Sequence, residues 1–304
     1  MNTKSCPRCG SKKIKKNGHV NGVQRYKCWC CGHQFLGGKR LDDKVLWSQY
    51  VHGKQTYKEL GEQYGCSAKT IQRHIREIDA YRPVVSPRMV IVAMDTTYWG
   101  RSWGVMLFKD TITGQNLLKY WVKSETIAKY KEGIECLISH GFIIAGIVCD
   151  GRRGIYEAFP DIPIQMCQFH QQKIVTRYLT SNPKTEAAKE LRKLSQSLTS
   201  ANRSTFENQL DEWHTKWESY INHRTKDDDT GRSWYTHKKL RSAFFSIKRN
   251  LPHLFVFESL ACHGMPNTTN IIDGHFSELK RRLRCHNGLS EDMKKKFIEE
   301  FLQV

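Results

Sequence analysis

Apolar positions change their period several times along the chain. Met89 to Asp95, Trp103 to Phe108 and Leu117 to Val122 are short runs rich in β-branched and aromatic residues, and each predicts a strand, with Thr113-Gly114 as a turn. Ile127, Tyr130, Ile134, Leu137 and Ile138 then repeat at helical spacing up to Gly141, and Phe142 to Cys149 follows as a buried strand. A fifth strand is expected just before Gln165. Residues from about 183 to 262 lose strand character and show helical segments, one carrying Leu210, Trp213 and Trp217, with a charged loop near Asp227 to Asp229. The chain closes with a helix from about Ile271 to Arg284, a break at His286-Asn287-Gly288 and a final short helix. Upstream, residues 41 to 80 form two short amphipathic runs around Gly65-Cys66-Ser67, and Pro83 and Pro87 punctuate a linker.

A chain of 304 residues is long enough for two or three domains, and 39% hydrophobic with 11% aromatic residues excludes a disordered polymer. The longest apolar stretches fall far short of the roughly 18 residues of a membrane helix, so no membrane partner is expected. Forty-nine lysines and arginines against 30 acids give a net charge of +19. Such a surplus calls for a polyanionic partner, with double-stranded DNA the leading candidate. The first forty residues hold ten of the basic residues and no acid, which marks them as a module of their own. Eleven cysteines without a secretory leader point to a reducing, cytoplasmic setting and to metal rather than disulfides.

Two Cys-x-x-Cys-Gly knuckles, Cys6 to Gly10 and Cys28 to Gly32, provide Cys6, Cys9, Cys28 and Cys31 for a structural zinc site. Four thiolates complete a tetrahedral shell and leave no open position. Lys12, Lys13, Lys15 and Lys16 crowd the intervening loop, Tyr26, Trp29 and Phe35 offer a small core, and Cys30 is the spare thiol.

Leu60 and Tyr64 share one face of a helix beginning near Thr56, and Ile71, Ile75 and Ile78 align on the next. The opposite face of that second helix carries Lys69, Thr70, Gln72, Arg73 and Arg76, as a recognition helix would present them to the major groove. The competing reading is a plain amphipathic hairpin with a solvated basic face.

Two hydrophobic strands end in acids, Asp95 and Asp150. Three antiparallel strands, a helix and a fourth strand begin an RNase H-like order, in which the first and fourth strands are parallel neighbours about 4.8 Å apart. Their carboxylates would then share a pocket and hold two divalent cations, Mg2+ or Mn2+, for phosphodiester displacement. Each acid alone is more simply a turn residue; together they are read as a metal site. Asp273 and Glu278 compete for a third acid. Ile272, Phe276, Leu279 and Leu283 form the apolar stripe of the closing helix; Asp273 flanks it beside Lys280 and Arg284, whereas Glu278 points away with Arg282 one turn on. Cys167 and His170 lie within one helical turn after the fifth strand and are read as a structural pair near the site rather than a metal site.

Asp95, Asp150-Gly-Arg-Arg-Gly, Phe159-Pro160, Gln165-Met-Cys167-Gln-Phe-His170 and Thr268-Thr269-Asn270-Ile-Ile-Asp273-Gly274 resemble transposases of the Mutator superfamily encoded by bacterial insertion sequences, in their zinc-ribbon variant. His286-Asn-Gly-Leu-Ser290 continues the pattern. The resemblance implies an α/β fold: a zinc ribbon (1–40), a helix-turn-helix domain (41–82), an RNase H-like mixed-sheet core (88–182), an all-helical insertion (183–265) and a closing segment (266–304). It also implies a DDE triad and metal-dependent cleavage and strand transfer at the element's terminal repeats. Asp273 stands where the family usually has Glu, so either the metals sit slightly differently or Glu278 takes the role. Lys280, Arg281, Arg282 and Arg284 would hold backbone, Trp213, Trp217 and Trp234 could stack on a frayed base, and the paired processing of two ends implies a dimer or larger assembly on DNA. The rival readings are a non-catalytic DNA-binding regulator and a nuclease that cuts without joining.

Overall fold

The computed structural model describes residues 5–20, 22–36, 41–79, 83–259 and 262–304. The chain divides into two compact units, Met1–Ala80 with Arg282–Phe297, and Tyr81–Arg281 with Ile298–Val304.

In the first unit, β1 (Ile14–Val20), β2 (Val23–Cys28) and β3 (Gln34–Leu36) form an antiparallel sheet in that order. The segment between the knuckles is thus a hairpin rather than a loop. Lys15 and Lys16 stand in β1 opposite Lys27 and Tyr26, because Val20 pairs with Val23 and Gly22 adopts φ +77°, a left-handed turn conformation that glycine takes without strain. Helices α1 (Asp43–Val51), α2 (Tyr57–Tyr64) and α3 (Ala68–Glu77) follow. Asp42 caps α1, and Thr56 and Glu59 form a capping box on α2. Gly65 ends α2 at φ +67° and Ser67 caps α3, so the Gly-Cys-Ser segment both stops one helix and starts the next. Leu46, Trp47, Tyr50, Leu60, Ile71 and Ile75 are buried.

The second unit holds β4 (Met89–Trp99), β5 (Trp103–Asp110), β6 (Asn116–Val122), α4 (Ile127–Ser139), β7 (Ile143–Cys149), α5 (Ile155–Ala158), β8 (Ile164–Met166), α6 (Gln168–Leu179), α7 (Glu186–Gln196), α8 (Arg203–Asn222), β9 (Arg224–Lys226), β10 (Ser233–Tyr235) and α9 (Lys238–Leu254). Helix α10 (Asn270–Arg284) begins in this unit and α11 (Glu291–Leu302) ends in it. Five strands make one mixed sheet in the order β6-β5-β4-β7-β8: antiparallel from β6 to β4, parallel from β4 to β8. This arrangement is compatible with an RNase H-like core.

Strand alternation divides the sheet's side chains between two cores. Val90, Val92, Met94, Met106 and Phe108 pack on one face with Tyr130, Ile134 and Leu137 of α4. Ile91 and Val148 pack on the other with Cys262 and Met265. The buried set of α4 is Tyr130, Gly133, Ile134 and Leu137; Ile138, expected on that stripe, lies a further 100° round the helix and is 50% exposed. A third core joins α6, α7, α8 and α9 through Val175, Leu191, Phe206, Leu210, Trp213, Phe244 and Ile247.

Two sequence expectations fail in this unit. The inserted block is not all helical: β9 and β10 pair as a hairpin, Trp234 opposite Thr225. The charged loop is its tip, where the Asp227 carboxylate accepts from the amides of Asp229 and Thr230 and Gly231 takes φ +65°. Strand β4 also does not end at Asp95 but continues to Trp99, because β5 goes on pairing with it from Asp95–Leu107 to Trp99–Trp103.

Candidate functional site

Asp95 lies inside β4 but at the end of its parallel ladder with β7, whose last pair is Ala93 with Val148. Asp150 follows β7 directly, so each acid lies two residues beyond that pair. By alternation Asp95 shares the sheet face of Ile91, away from α4. On that face α10 brings Asp273, whose carboxylate accepts the Thr269 hydroxyl at 2.8 Å. Asp95 is largely buried and registers all three neighbours: burial lifts its pKa to about 7, the Thr96 amide opposes, the charges of Asp273 and Asp150 add to the rise, and His170 offsets part of it. Three hard oxygen donors that repel one another in a half-dry pocket suit a divalent cation such as magnesium. The carboxylates are nonetheless spaced more widely than the thiol cluster of the first unit, the single group of three or more potential ligands among the described residues whose donor atoms all lie within 4.8 Å of one another.

Glu278 turns to Arg281, whose Nε donates to it at 2.6 Å. Of the two sequence candidates, Asp273 is therefore the one that Asp95 senses electrostatically.

Cys167 ties the surroundings together. Its amide donates to the Cys149 carbonyl at 2.8 Å, and its thiol accepts from the Thr269 amide at 3.3 Å, which links the end of β7, the start of α6 and the start of α10. Burial pushes the Cys167 thiol up, but contacts with His170 and Thr269 outweigh it and hold the pKa below its ordinary value. His170 is raised in return by that sulfur. The pairing is electrostatic rather than a formed hydrogen bond, since His170 Nδ1 is buried without a partner in bonding geometry.

Sequence reading missed the frame on the α4 side. Arg152 grips the Glu125 carboxylate at 2.5 Å and its amide donates to Asp150 at 3.2 Å; the Tyr130 hydroxyl donates to Glu125 at 2.7 Å and lies 3.1 Å from the Thr96 hydroxyl. One continuous network therefore joins the segments carrying Asp95 and Asp150. Arg152 falls in the Asp-Gly-Arg-Arg-Gly segment, which was its only available signal.

In the first unit, the sulfurs of Cys6 and Cys31, and of Cys9 and Cys28, lie 3.6 Å apart. Tetrahedral zinc with bonds of about 2.3 Å sets its sulfurs about 3.8 Å apart, so the four thiols fit that ion closely. The amides of Cys31 and Cys30 draw the Cys28 thiol down to about 6 against burial. The Ser11 amide favours the Cys9 thiolate, yet the adjoining sulfurs and burial push that group up to about 12. Gly10 and Gly32 both adopt φ near +70°, which closes each knuckle. Cys30 turns away to Ser11 at 3.1 Å. Tyr26 stacks on Phe35 as expected, but Trp29 is 66% exposed beneath the Lys15 ammonium rather than in a core.

Lys69, Thr70, Gln72, Arg73 and Arg76 line one concave surface of about 370 Å³ along α3, opposite buried Ile71 and Ile75. Lys12, Lys13, Lys16 and Arg284 are exposed. Lys280 lies over the Trp99 ring and Arg281 pairs with Glu278, while Arg282 donates to the carbonyl of His52 at 2.8 Å. Of the three insertion tryptophans, Trp213 is buried and donates to the Ala187 carbonyl, Trp217 donates to Glu190, and Trp234 is 47% exposed on β10.

No family model and no curated protein matches the chain. Among solved structures, it is similar to the cryo-EM structure of a simian T-cell lymphotropic virus intasome in complex with the PP2A regulatory subunit B56 gamma, with 12% identity, 66% of this chain and 71% of that chain covered, and a TM-score of 0.23. It is also similar to the crystal structure of the large terminase nuclease from thermophilic phage G20c, with 10% identity, 57% and 92% covered, and a TM-score of 0.22.

Proposed function

We propose that this chain is a DNA transposase of the kind its sequence resembles, the zinc-ribbon variant of the Mutator superfamily. The observation that carries the reading is the convergence of three acids drawn from β4, the end of β7 and α10: Asp95 and Asp150 lie two residues beyond the same parallel pair, and Asp95 feels the charges of both Asp273 and Asp150. Asp95, Asp150 and Asp273 would hold divalent cations, magnesium or manganese, which supply Lewis-acid activation for phosphodiester cleavage and strand transfer. The protein's own contribution is placement. Thr269 orients the Asp273 carboxylate, the Arg152 amide fixes Asp150, and the Glu125–Arg152–Tyr130 network holds the strand ends in register.

A zinc ribbon on Cys6, Cys9, Cys28 and Cys31 and a recognition helix at α3 would bind the duplex ends of the element. The basic surplus of +19 gives that contact its salt sensitivity. Processing of two ends together would call for a dimer or larger assembly.

The test is a nicking and joining assay with magnesium on a duplex bearing the element's end. Asp95→Asn and Asp150→Asn are expected to abolish cutting and to leave duplex binding intact, and Asp273→Ala to lose far more activity than Glu278→Ala. Normal cutting by either Asn variant removes the catalytic assignment.

A further inference from the structure

A groove of about 770 Å³ opens from Asp273 between α6, α7 and α10. Phe169, Gln172, Lys173, Thr176 and Arg177 line it from α6, at spacings of three, four, seven and eight residues, so one whole stripe of that helix faces the cavity. Arg192 and Gln196 of α7 and Asn270 and Ser277 of α10 complete the walls. Every one of these positions except Phe169 is polar or charged, which no apolar core would require. Among the described residues Asp273 is the sole acid in the lining, against three cations.

Those cations are uncompensated. None of Lys173, Arg177 and Arg192 forms an ion pair among the described residues, whereas about half of the other helix-borne lysines and arginines of this unit do, as in Lys189–Glu186, Arg203–Glu207, Lys216–Glu190 and Lys248–Asp211. Arg192 is the most informative. It is half-buried, and its Nε is shielded from solvent without any acceptor. A guanidinium N–H left in that state is costly unless an anionic oxygen completes it. At the rim beside Lys173, Phe169 is 37% exposed, a large aromatic face where a solvated helix would ordinarily carry a polar residue.

We infer that this groove binds a single strand of DNA, its phosphates on Lys173, Arg177 and Arg192 and one base stacked on Phe169. The inference rests on the proposed function and adds to it the strand's path away from the acids. The volume suits a nucleotide or two, since it lies within the roughly 300–1,000 Å³ that encloses a ligand of drug size. The exposed Phe169 ring favours a single strand over a duplex, because only an unpaired base offers its face for stacking. Alternating phosphate-binding cations and an aromatic platform are the two elements by which proteins hold unpaired strands without reading sequence.

The experiment is fluorescence anisotropy with the full chain, a labelled oligothymidylate of about 12 nucleotides and a blunt duplex of the same length, without added divalent cation. Lys173→Ala/Arg177→Ala/Arg192→Ala is expected to weaken single-strand binding by about tenfold or more and to flatten its salt slope by about 2. Phe169→Ala should weaken it about fivefold or more with the slope unchanged. Blunt-duplex affinity should hold in both. If Arg192→Ala fails to fold, Lys173→Ala/Arg177→Ala carries the test, because both side chains are exposed and their removal leaves the core intact. Wild-type single-strand affinity in these variants, or an equal loss on the blunt duplex, overturns the inference. Binding here requires no chemistry, so its outcome is independent of whether Asp95→Asn abolishes cutting: normal cutting by Asp95→Asn, together with lost single-strand binding in the groove variants, would remove the catalytic assignment and keep the groove.

Discussion

Asp95 and Asp150 stand two residues beyond the same cross-strand pair, Ala93 with Val148, on the adjacent parallel strands β4 and β7. Parallel neighbours lie about 4.8 Å apart, so two acids in matching positions cannot both ionise without mutual cost. Asp95 registers that cost: burial first, and then the charges of Asp273 and Asp150, lift its carboxyl to about 7.

That lift has a stability consequence. A folded-state value above the ordinary 3.8 means that the native protein binds this proton more tightly than the unfolded chain. Native stability from this group is therefore complete below about pH 4 and is lost as pH rises through about 7. Asp95→Asn should raise the thermal midpoint at pH 8 by several degrees, on the order of a few kcal/mol, with about 1.4 kcal/mol per pH unit as the ceiling. The gain should vanish near pH 4. Magnesium should raise the wild-type midpoint and leave that of Asp95→Asn nearly unmoved, since only a site with its acids intact gains from the ion. Thermal unfolding at two pH values with and without magnesium checks all three; equal midpoints at pH 8 would remove Asp95 from the acid cluster.

The thiol cluster predicts a metal content. Purified protein should carry one zinc per chain by elemental analysis, Cys28→Ser or Cys6→Ser should lose it, and Cys30→Ser should keep it, because Cys30 faces Ser11. Loss of zinc should also unfold β1–β3, since a three-stranded sheet of this size has little core beyond the Tyr26–Phe35 stack. Zinc retained in Cys28→Ser would show that another ligand set holds it.

The inserted block separates packing from surface among its tryptophans. Trp213 is buried against Phe244 and bonded to the Ala187 carbonyl, so Trp213→Ala should cost about 3–5 kcal/mol. Trp234, 47% exposed, should cost less than about 0.5 kcal/mol in the same change. Chemical denaturation of the two variants decides; a similar loss at both sites would mean that the hairpin is packed against something.

Legibility followed the range of the interaction. The cysteine knuckles were readable because four ligands in two short motifs carry their chemistry locally, and the hydrophobic runs of β4 and β7 because burial on both faces leaves unbroken apolar stretches. The end of β4 was not readable. Thr96 to Trp99 lack an apolar run and extend the strand only because β5 pairs with them. Strands β9 and β10 are three residues each, too short to show a period, and only the Asp-Thr-Gly tip marks them. Glu125 and Arg152 lie 27 positions apart, so nothing near either one announces the pair. The hairpin of β1 and β2 had a signal, the Asn-Gly pair before Val23, that the density of lysines obscured.

His286 gives the first unit an acid limit. Its ring is buried, centred 4.2 Å from Tyr50 and 5.2 Å from Phe297, and neither nitrogen reaches a partner in bonding geometry. Burial holds its pKa below the ordinary 6.5, against the weaker opposing pull of the Tyr50 backbone and the Glu59 carboxylate. A depressed folded-state value means that the unfolded chain takes up this proton first, so the stability is present above about pH 6.5 and drains away as pH falls below it. Charging the ring in place would leave a cation among aromatic side chains with neither nitrogen hydrogen-bonded among the described residues. His286→Phe keeps an aromatic ring there and cannot titrate. Hydrogen exchange of amides in α1 and α2 should therefore accelerate between pH 7 and pH 5 in the wild type, after correction for the intrinsic rate, and much less in His286→Phe. The same acceleration in both proteins would place the acid sensitivity on a different group.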